Sequence, residues 1–292
     1  MQTGVRAGAT STRKRVRDAA EKLARADVPE PVGSAEVLLA ELLGVTRSEL
    51  ALREEPTTSE QAALYEAWIS RRMQRVPVQR ILGYAYFRNL CLELDEHTLI
   101  PRPDTESVVD AALEAVDRRG GACRVLDLGT GSGAIAISIA QERPFCEVHA
   151  TDYSEGALLL ARRNATRARA RVRFYTVDLT SGLDSLAGSV DVLVSNPPYV
   201  RSADVLRLPP EVRDWDPRAA LDGGPDGLSF YRRIFADATT LLADGANVVL
   251  EVGDGQAETV LGLGRSAGYE PLGTHADLTG TPRAAKLRWS AD

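Results

Sequence analysis

The chain has 292 residues, 44% hydrophobic and 26% charged, an ordinary balance for a soluble globular protein of one large or two smaller domains. No apolar run approaches the roughly 18 residues of a membrane-spanning helix. The 35 Lys+Arg and 41 Asp+Glu leave a net charge of −6, which disfavours a protein that grips nucleic acid mainly through its phosphates.

Three cysteines, Cys91, Cys123 and Cys146, form no CxxC pair; disulfide and zinc readings both weaken, and reduced thiols in a cytoplasmic protein are expected. Three histidines (His97, His149, His275) show no HExxH spacing, so no metal is expected. Only three of the basic residues are lysines, an Arg-for-Lys bias most simply assigned to genome composition. Aromatics make up 5%, so the core is to be built from Ala, Leu and Val.

From the N-terminus, Arg6, Arg13, Lys14, Arg15 and Arg17 precede the first acid, Asp18. They lack the apolar core of a signal peptide and read as the basic start of a helix over 11–26; an Arg-rich transit peptide is the alternative. Ala35, Leu38, Leu39, Leu42 and Leu43 recur at i, i+3, i+4, i+7, i+8, one apolar helix face, with Ser34 as its cap and Gly44 as its stop. Thr57 and Glu60 have capping-box spacing and open a helix with Leu64, Trp68, Ile69 and Met73 as its expected buried stripe, closed at Val76-Pro77. Residues 1–80 therefore read as a small helical bundle. They carry 13 basic and 11 acidic side chains, against 22 and 30 in the remainder.

The period changes in 81–100, where Leu90–Leu94 partly alternates; a β-hairpin linking two domains is expected. Pro101–Glu106 opens a helix. Beyond residue 123, strands at 124–128, 147–151, 172–176, 191–195 and 247–252 alternate with helices at 134–141, 155–167, 228–242 and 255–267. Closing strands at 269–274 and 285–289 have no helix between them. The expected fold class is α/β: a Rossmann-like, mostly parallel sheet over 101–292 with an antiparallel C-terminal edge hairpin.

Three motifs carry chemistry. Val125–Gly133 places a GxGxG turn between a strand and a helix, where glycines let backbone approach a ligand and the helix start offers free N–H groups; it is neither GxGxxG nor a P-loop. Asp152 ends the next strand, 23 residues after Gly129, where an acid can accept from both ribose hydroxyls, or simply cap a helix. Asp178 near the end of the third strand is placed to flank an adenine, or to make a turn. The third motif is Asn196-Pro-Pro-Tyr199 after an apolar strand. The Asn196 side-chain oxygen and the Pro197 carbonyl are two acceptors suited to a planar NH₂ group, on a loop that Pro197 and Pro198 stiffen; Tyr199 offers a flat face behind that nitrogen.

Together these motifs resemble the class I S-adenosylmethionine methyltransferases that act on planar NH₂ groups. Pro77–Gly83, Leu99–Glu106, Glu211…Asp216-Pro217…Asp226-Gly227-Leu228, Glu251-Val-Gly253 with Gln256, and Asp277–Gly280 with Arg283 narrow the resemblance to the release-factor glutamine methyltransferases of the PrmC/HemK type. It runs from about residue 15 to the C-terminus. It implies S-adenosyl-L-methionine as cofactor, peptide chain release factors as protein partners, and N5-methylation of the glutamine in their Gly-Gly-Gln loop, in support of translation termination. The 1–80 region would dock the substrate.

The implied cofactor residues are Asp127, Gly129, Thr130, Gly131, Ser132, Gly133, Asp152, Tyr153, Asp178, Leu179 and Asn196. Arg102 and Pro103, with Asn196 to Tyr199, are the implied substrate residues. Two positions depart from the pattern: Trp215-Asp216-Pro217 replaces an aromatic-Glu-Pro, and Leu179 stands where an aromatic is common. A monomer, with no direct nucleic-acid or membrane partner, is expected.

An amide nitrogen is a poor nucleophile because its lone pair is delocalised. Acceptors at Asn196 and Pro197 that take both amide protons favour a more tetrahedral nitrogen. Positioning of this kind is worth about 7–11 kcal/mol in favourable cases. An exocyclic NH₂ of a DNA or RNA base would suit the same four residues. A non-catalytic partner of the release factor or ribosome, and a paralogue acting on another glutamine or a small molecule, are the other readings. His97 reads as a turn residue, and Asp214 and Asp216 as acids without sugar-binding company.

Overall fold

The computed structural model describes residues 11–53 and 56–291; Arg6 of the basic start lies outside them. The chain divides into two compact units, Met1–Gly83 and Tyr84–Asp292, so the break comes just past residue 80 and the hairpin clusters with the second unit. Among the described residues no helix is long and apolar enough to cross a membrane.

The first unit holds α1 (Thr12–Arg25), α2 (Pro31–Leu43), α3 (Arg47–Leu52), α4 (Ser59–Met73) and α5 (Val78–Leu82). α2 starts earlier than its pattern predicts. Pro31, with its pre-set φ and missing N–H, occupies the first turn, and Ser34 lies inside the helix rather than capping it. Gly44 ends α2 at φ 64°, as expected. The capping box of α4 is Thr58 with Gln61, not Thr57 with Glu60.

The buried stripe of α4 is rotated as well. Tyr65, Ile69 and Arg72 are buried, whereas Leu64 and Met73 are exposed and Trp68 is half-buried. The polar tips of the two long buried side chains are satisfied inside: the Tyr65 hydroxyl donates to the Ala35 carbonyl (2.9 Å), and Arg72 donates to Ser34 Oγ (3.3 Å) and the Val76 carbonyl (3.2 Å). Amphipathic side chains thus take the place of purely apolar ones.

The second unit opens with an antiparallel hairpin, β1 (Tyr84–Phe87) and β2 (Leu90–Glu93). Seven further strands, β3 (Arg124–Leu128), β4 (Glu147–Asp152), β5 (Val172–Thr176), β6 (Val190–Ser195), β7 (Leu242–Glu251), β8 (Glu270–Ala276) and β9 (Pro282–Arg288), form one sheet in the order β5-β4-β3-β6-β7-β9-β8. All are parallel except β9, which runs antiparallel to both its neighbours.

The helices of this unit are α6 (Asp104–Arg119), α7 (Ala134–Glu142), α8 (Glu155–Arg167), the one-turn α9 (Pro210–Arg213), α10 (Ser229–Asp237) and α11 (Ala257–Ser266). α10 is shorter than the expected 228–242; a 3₁₀ turn at Ala238–Thr240 follows, and β7 begins at Leu242 because it pairs with Val190 across a register shift.

Side-chain alternation along the strands builds two cores. Val125, Val192, Val194 and Val249 pack with residues of α6, α7 and α8; Leu126, Leu193, Val248 and Leu250 pack with residues of α10 and α11. A parallel sheet needs both faces covered, and this period-2 division supplies them.

β3 lies between β4 and β6. The chain runs outward from β3 through β4 to β5 and then crosses back to β6 on the other side of β3, which makes this the switch point beyond which α/β folds place their ligands. The hairpin is tied to this point by Asn164 of α8, a buried side chain. Its Oδ1 accepts from Glu93 N (2.8 Å), and its Nδ2 donates to the Glu93 carbonyl (3.2 Å) and to the Ser132 carbonyl (2.9 Å). Replacing Asn164 by Leu leaves these main-chain groups, the buried Ser132 carbonyl among them, without their partner, so a loss of roughly 2–4 kcal/mol is expected in urea unfolding; a change within about 0.5 kcal/mol, as for an ordinary surface position, would contradict this role.

Candidate active site

Strand register brings the motifs together. Leu128, the last residue of β3, pairs with Thr151 of β4 on one side and Ser195 of β6 on the other. The residues that follow, Gly129, Asp152 and Asn196, therefore emerge side by side at the carboxyl edge of the sheet. Further hydrogen bonds lock them there: Ser195 Oγ donates to the Leu128 carbonyl (2.7 Å), Thr130 N to the Thr151 carbonyl (2.8 Å), and Gly131 N to Asp152 Oδ2 (2.9 Å).

A cleft opens over this edge. Gly129 to Ser132, Asp152, Tyr153, Asp178, Leu179 and Asn196 to Pro198 all line it. A Cβ built on Gly129 or Gly131 meets nothing within 4 Å, whereas one on Gly133 lies 2.7 Å from Ile137 Cδ1. The first two glycines leave the main chain open to a ligand, and the third lets α7 pack closely. Gly133 and Asp127 do not line the cleft. Asp127 is fully buried behind the turn, where Thr130 Oγ1 donates to its Oδ2 (2.6 Å); burial pushes its carboxyl up to about 7. Asp152 is also raised by burial, against the lowering effect of N–H donors from Ser154, Gly131 and Tyr153. Tyr153 is an exposed ring, and Asp178 is held by Arg233 (2.7 Å).

The Asn-Pro-Pro-Tyr segment rests on a shelf made by later parts of the chain. Val200 bonds to Leu221 and Gly223 (2.9 and 2.7 Å). A Cβ at Gly223 would lie 2.6 Å from the Pro198 carbonyl oxygen, and one at Gly227 2.4 Å from that of Tyr199, so glycine is required for this close approach. Gln256 Nε2 donates to the Tyr199 carbonyl (3.1 Å). Asn196 Nδ2 donates to Thr105 Oγ1 (3.2 Å). Among the described residues no hydrogen bond is donated to Asn196 Oδ1 or to the Pro197 carbonyl.

Three expected site residues take other places. Tyr199 does not line the cleft; its ring lies against Gly253, where a Cβ would come within 2.9 Å of Cδ2, and its hydroxyl faces the Glu251 carboxylate. A stacking face behind the target nitrogen is therefore not what it offers. Pro103 is exposed at the start of α6, outside the cleft. Arg102 lines the cleft, but its guanidinium is bound to buried Asp216 (2.5 Å). That bond also separates the two acids: Asp216 is a buried anchor, whereas Asp214 pairs with Arg213 at the surface.

His97 and Phe230 also line the cleft. His97 packs against Gly156, a glycine in the first turn of α8 where a Cβ would lie 2.6 Å from the imidazole ring.

The raised Asp127 carboxyl gives a pH test. Its folded pKa of about 7 exceeds the ordinary 3.8, so the folded state binds the extra proton between these values and loses that advantage as pH rises to about 7. Asp127→Asn removes the slope. Its stability relative to the parent should climb between pH 4 and 7, by as much as about 4 kcal/mol, in urea titrations at several pH values; a constant difference across that window would contradict the assignment.

Comparison with known proteins agrees with this geometry. A family model described as the PrmC N-terminal domain matches residues 16–83, and one described as the methyltransferase small domain matches residues 109–207. A release factor glutamine methyltransferase of Agrobacterium fabrum is 40% identical over 275 residues, 92% of this chain and 94% of that one. Its counterpart in Geobacter sulfurreducens is 42% identical over 249 residues, 85% and 86% of the two chains. The crystal structure of a methyltransferase from Pyrococcus furiosus shares the fold, with a TM-score of 0.53 at 21% identity, over 76% of this chain and 100% of that one.

Proposed function

This chain belongs to the release factor glutamine methyltransferase family, a group of S-adenosylmethionine-dependent methyltransferases, and on that premise we propose that it methylates the side-chain amide nitrogen of the glutamine in the Gly-Gly-Gln loop of peptide chain release factors. The observation that carries the reading is the pair of unclaimed acceptors, Asn196 Oδ1 and the Pro197 carbonyl, on residues that line the same cleft as an open glycine turn.

The residues present fit the cofactor. The backbone of Gly129–Gly131 leaves room for its methionine part, Asp152 would hold its ribose, and Tyr153, Leu179 and Phe230 offer surfaces to its base. When bound, the cofactor supplies an electrophilic methyl group on a sulfonium.

The chain's task is then to hold and turn the amide. Two acceptors that take both N–H protons fix the plane of the NH₂ group and draw its lone pair out of conjugation with the carbonyl. They also oppose the positive charge that develops on nitrogen, an electrostatic contribution strongest in a cleft shielded from water. Pro197 and Pro198 keep the loop from relaxing and add no competing N–H donors. Tyr199, Gly223, Gly227 and Gln256 brace the loop from behind.

The helical unit of residues 16–83 would dock the release factor. All three cysteines are free, which fits action in the reducing cytoplasm.

Incubation with labelled S-adenosylmethionine and either purified release factor, DNA or RNA tests the substrate. Label should appear on the release factor and vanish when its Gly-Gly-Gln glutamine is replaced; label on nucleic acid alone would overturn the reading. Asn196→Ala should lower kcat at least about 100-fold with cofactor affinity by calorimetry nearly unchanged, whereas near-normal turnover would remove Asn196 from the reaction.

A further inference from the structure

Asn196 serves as an acceptor only if its amide is held one way round. Flipped, it would present Nδ2 to the substrate NH₂, donor against donor. The bond from Nδ2 to Thr105 Oγ1 (3.2 Å) sets the orientation, and Thr105, in the first turn of α6, is itself buried. A hydroxyl that accepts this bond still has one proton to place. The Glu251 carboxylate, at the end of β7, is close enough for this hydroxyl, and to a lesser degree the Tyr199 hydroxyl, to favour its ionised form.

Glu251 is only 2% exposed, and its Oε2 has no hydrogen-bond partner among the described residues. Burying a carboxylate in this way costs free energy, and replacing it by an apolar residue would avoid that cost. What a carboxylate alone adds is a chain end that accepts and never donates.

We propose that Glu251 and Thr105 are positioning residues that make the hydrogen-bond chain to Asn196 run in a single direction. Asn196 Nδ2–H donates to Thr105, Thr105 O–H donates to Glu251, and Asn196 Oδ1 is thereby left facing the cleft. The Tyr199 hydroxyl donates to the same carboxylate, so one buried group orients both ends of the Asn-Pro-Pro-Tyr segment. A proton on Glu251 breaks the rule: Thr105 can then accept from Glu251 and donate to Asn196, and the amide is free to turn over.

The groups around Glu251 come from every neighbouring element. Asp104 and Thr105 lie on α6, Tyr199 follows β6, and Arg283 is on β9; the Tyr231 hydroxyl of α10 donates to the Glu251 main-chain carbonyl (2.8 Å). Asp104 disfavours the ionised form and Arg283 favours it, although Arg283 is shared with Asp104 (3.0 Å) and Asp277 (2.9 Å). Burial dominates and lifts Glu251 to about 7.

The inference rests on the proposed role of Asn196, so the test sets Thr105→Val, Thr105→Ser and Glu251→Gln beside Asn196→Ala. All are assayed on purified release factor from pH 6 to 9, with cofactor affinity and melting temperature measured in parallel. Thr105→Val should lower kcat about 10- to 100-fold with cofactor affinity unchanged, and Thr105→Ser, which keeps the hydroxyl, should recover most of that loss. The parent's kcat should fall on the acid side of about pH 7 as Glu251 takes a proton, and Glu251→Gln should lose that limb. Thr105→Val and Glu251→Gln are close in shape to the parent residues, so either supplies a readout if the other does not fold. Near-normal kcat in Thr105→Val beside an inactive Asn196→Ala would overturn this inference alone, as would an unchanged acid limb in Glu251→Gln. Near-normal turnover in Asn196→Ala would overturn the underlying reading.

Discussion

The pairing of Leu128 with both Thr151 and Ser195 is the constraint on which the rest of the second unit depends. Strand pairing has a side-chain period of two, so a slip of one residue would turn every core side chain to the wrong face. The two cores, one under α6–α8 and one under α10–α11, forbid that slip. The same packing that stabilises the sheet thus fixes where Gly129, Asp152 and Asn196 leave it. The site's geometry is a by-product of core register, held by residues far from any substrate.

What the register does not fix is direction. Three strand ends can meet at one edge and still offer the wrong atoms to a ligand. The later parts of the chain supply that correction. Gly223 and Gly227 let the loop after β6 lie flat on its shelf, Gln256 takes the Tyr199 carbonyl, and α6 presents Thr105 to the Asn196 amide. Asp216 performs a parallel service for another part of the lining, binding Arg102 and the main chain at Ile100. Apart from the two glycines, these supports are polar groups whose partners are distant in sequence, and such groups hold their geometry because leaving them unpaired is costly.

Local pattern carried most of the architecture. Strand–helix alternation is visible wherever an apolar run ends in a turn residue, and β3, β5 and α8 stand at the boundaries their patterns predict. The motif residues that line the cleft were likewise legible, because glycine turns and Asn-Pro-Pro-Tyr impose their chemistry locally. Legibility failed where tertiary partners overrule pattern. The stripe on α4 runs through Tyr65 and Arg72 because carbonyls and a hydroxyl elsewhere satisfy their tips. Tyr199 reads as a stacking face, yet a distant carboxylate at Glu251 and the open side of Gly253 turn it away from the cleft. Arg102 reads as a substrate ligand until Asp216, more than a hundred positions later, claims it. No window of neighbouring residues contains these pairs.

The central claim is that the site presents two acceptors, correctly turned, to a planar NH₂ group. A crystal structure of the protein with S-adenosylhomocysteine and a Gly-Gly-Gln peptide addresses it most directly. The account predicts that the glutamine amide nitrogen donates to Asn196 Oδ1 and to the Pro197 carbonyl while Asn196 Nδ2 stays on Thr105. A glutamine bound through its amide oxygen to Asn196 Nδ2, with the Thr105 bond broken, would contradict it.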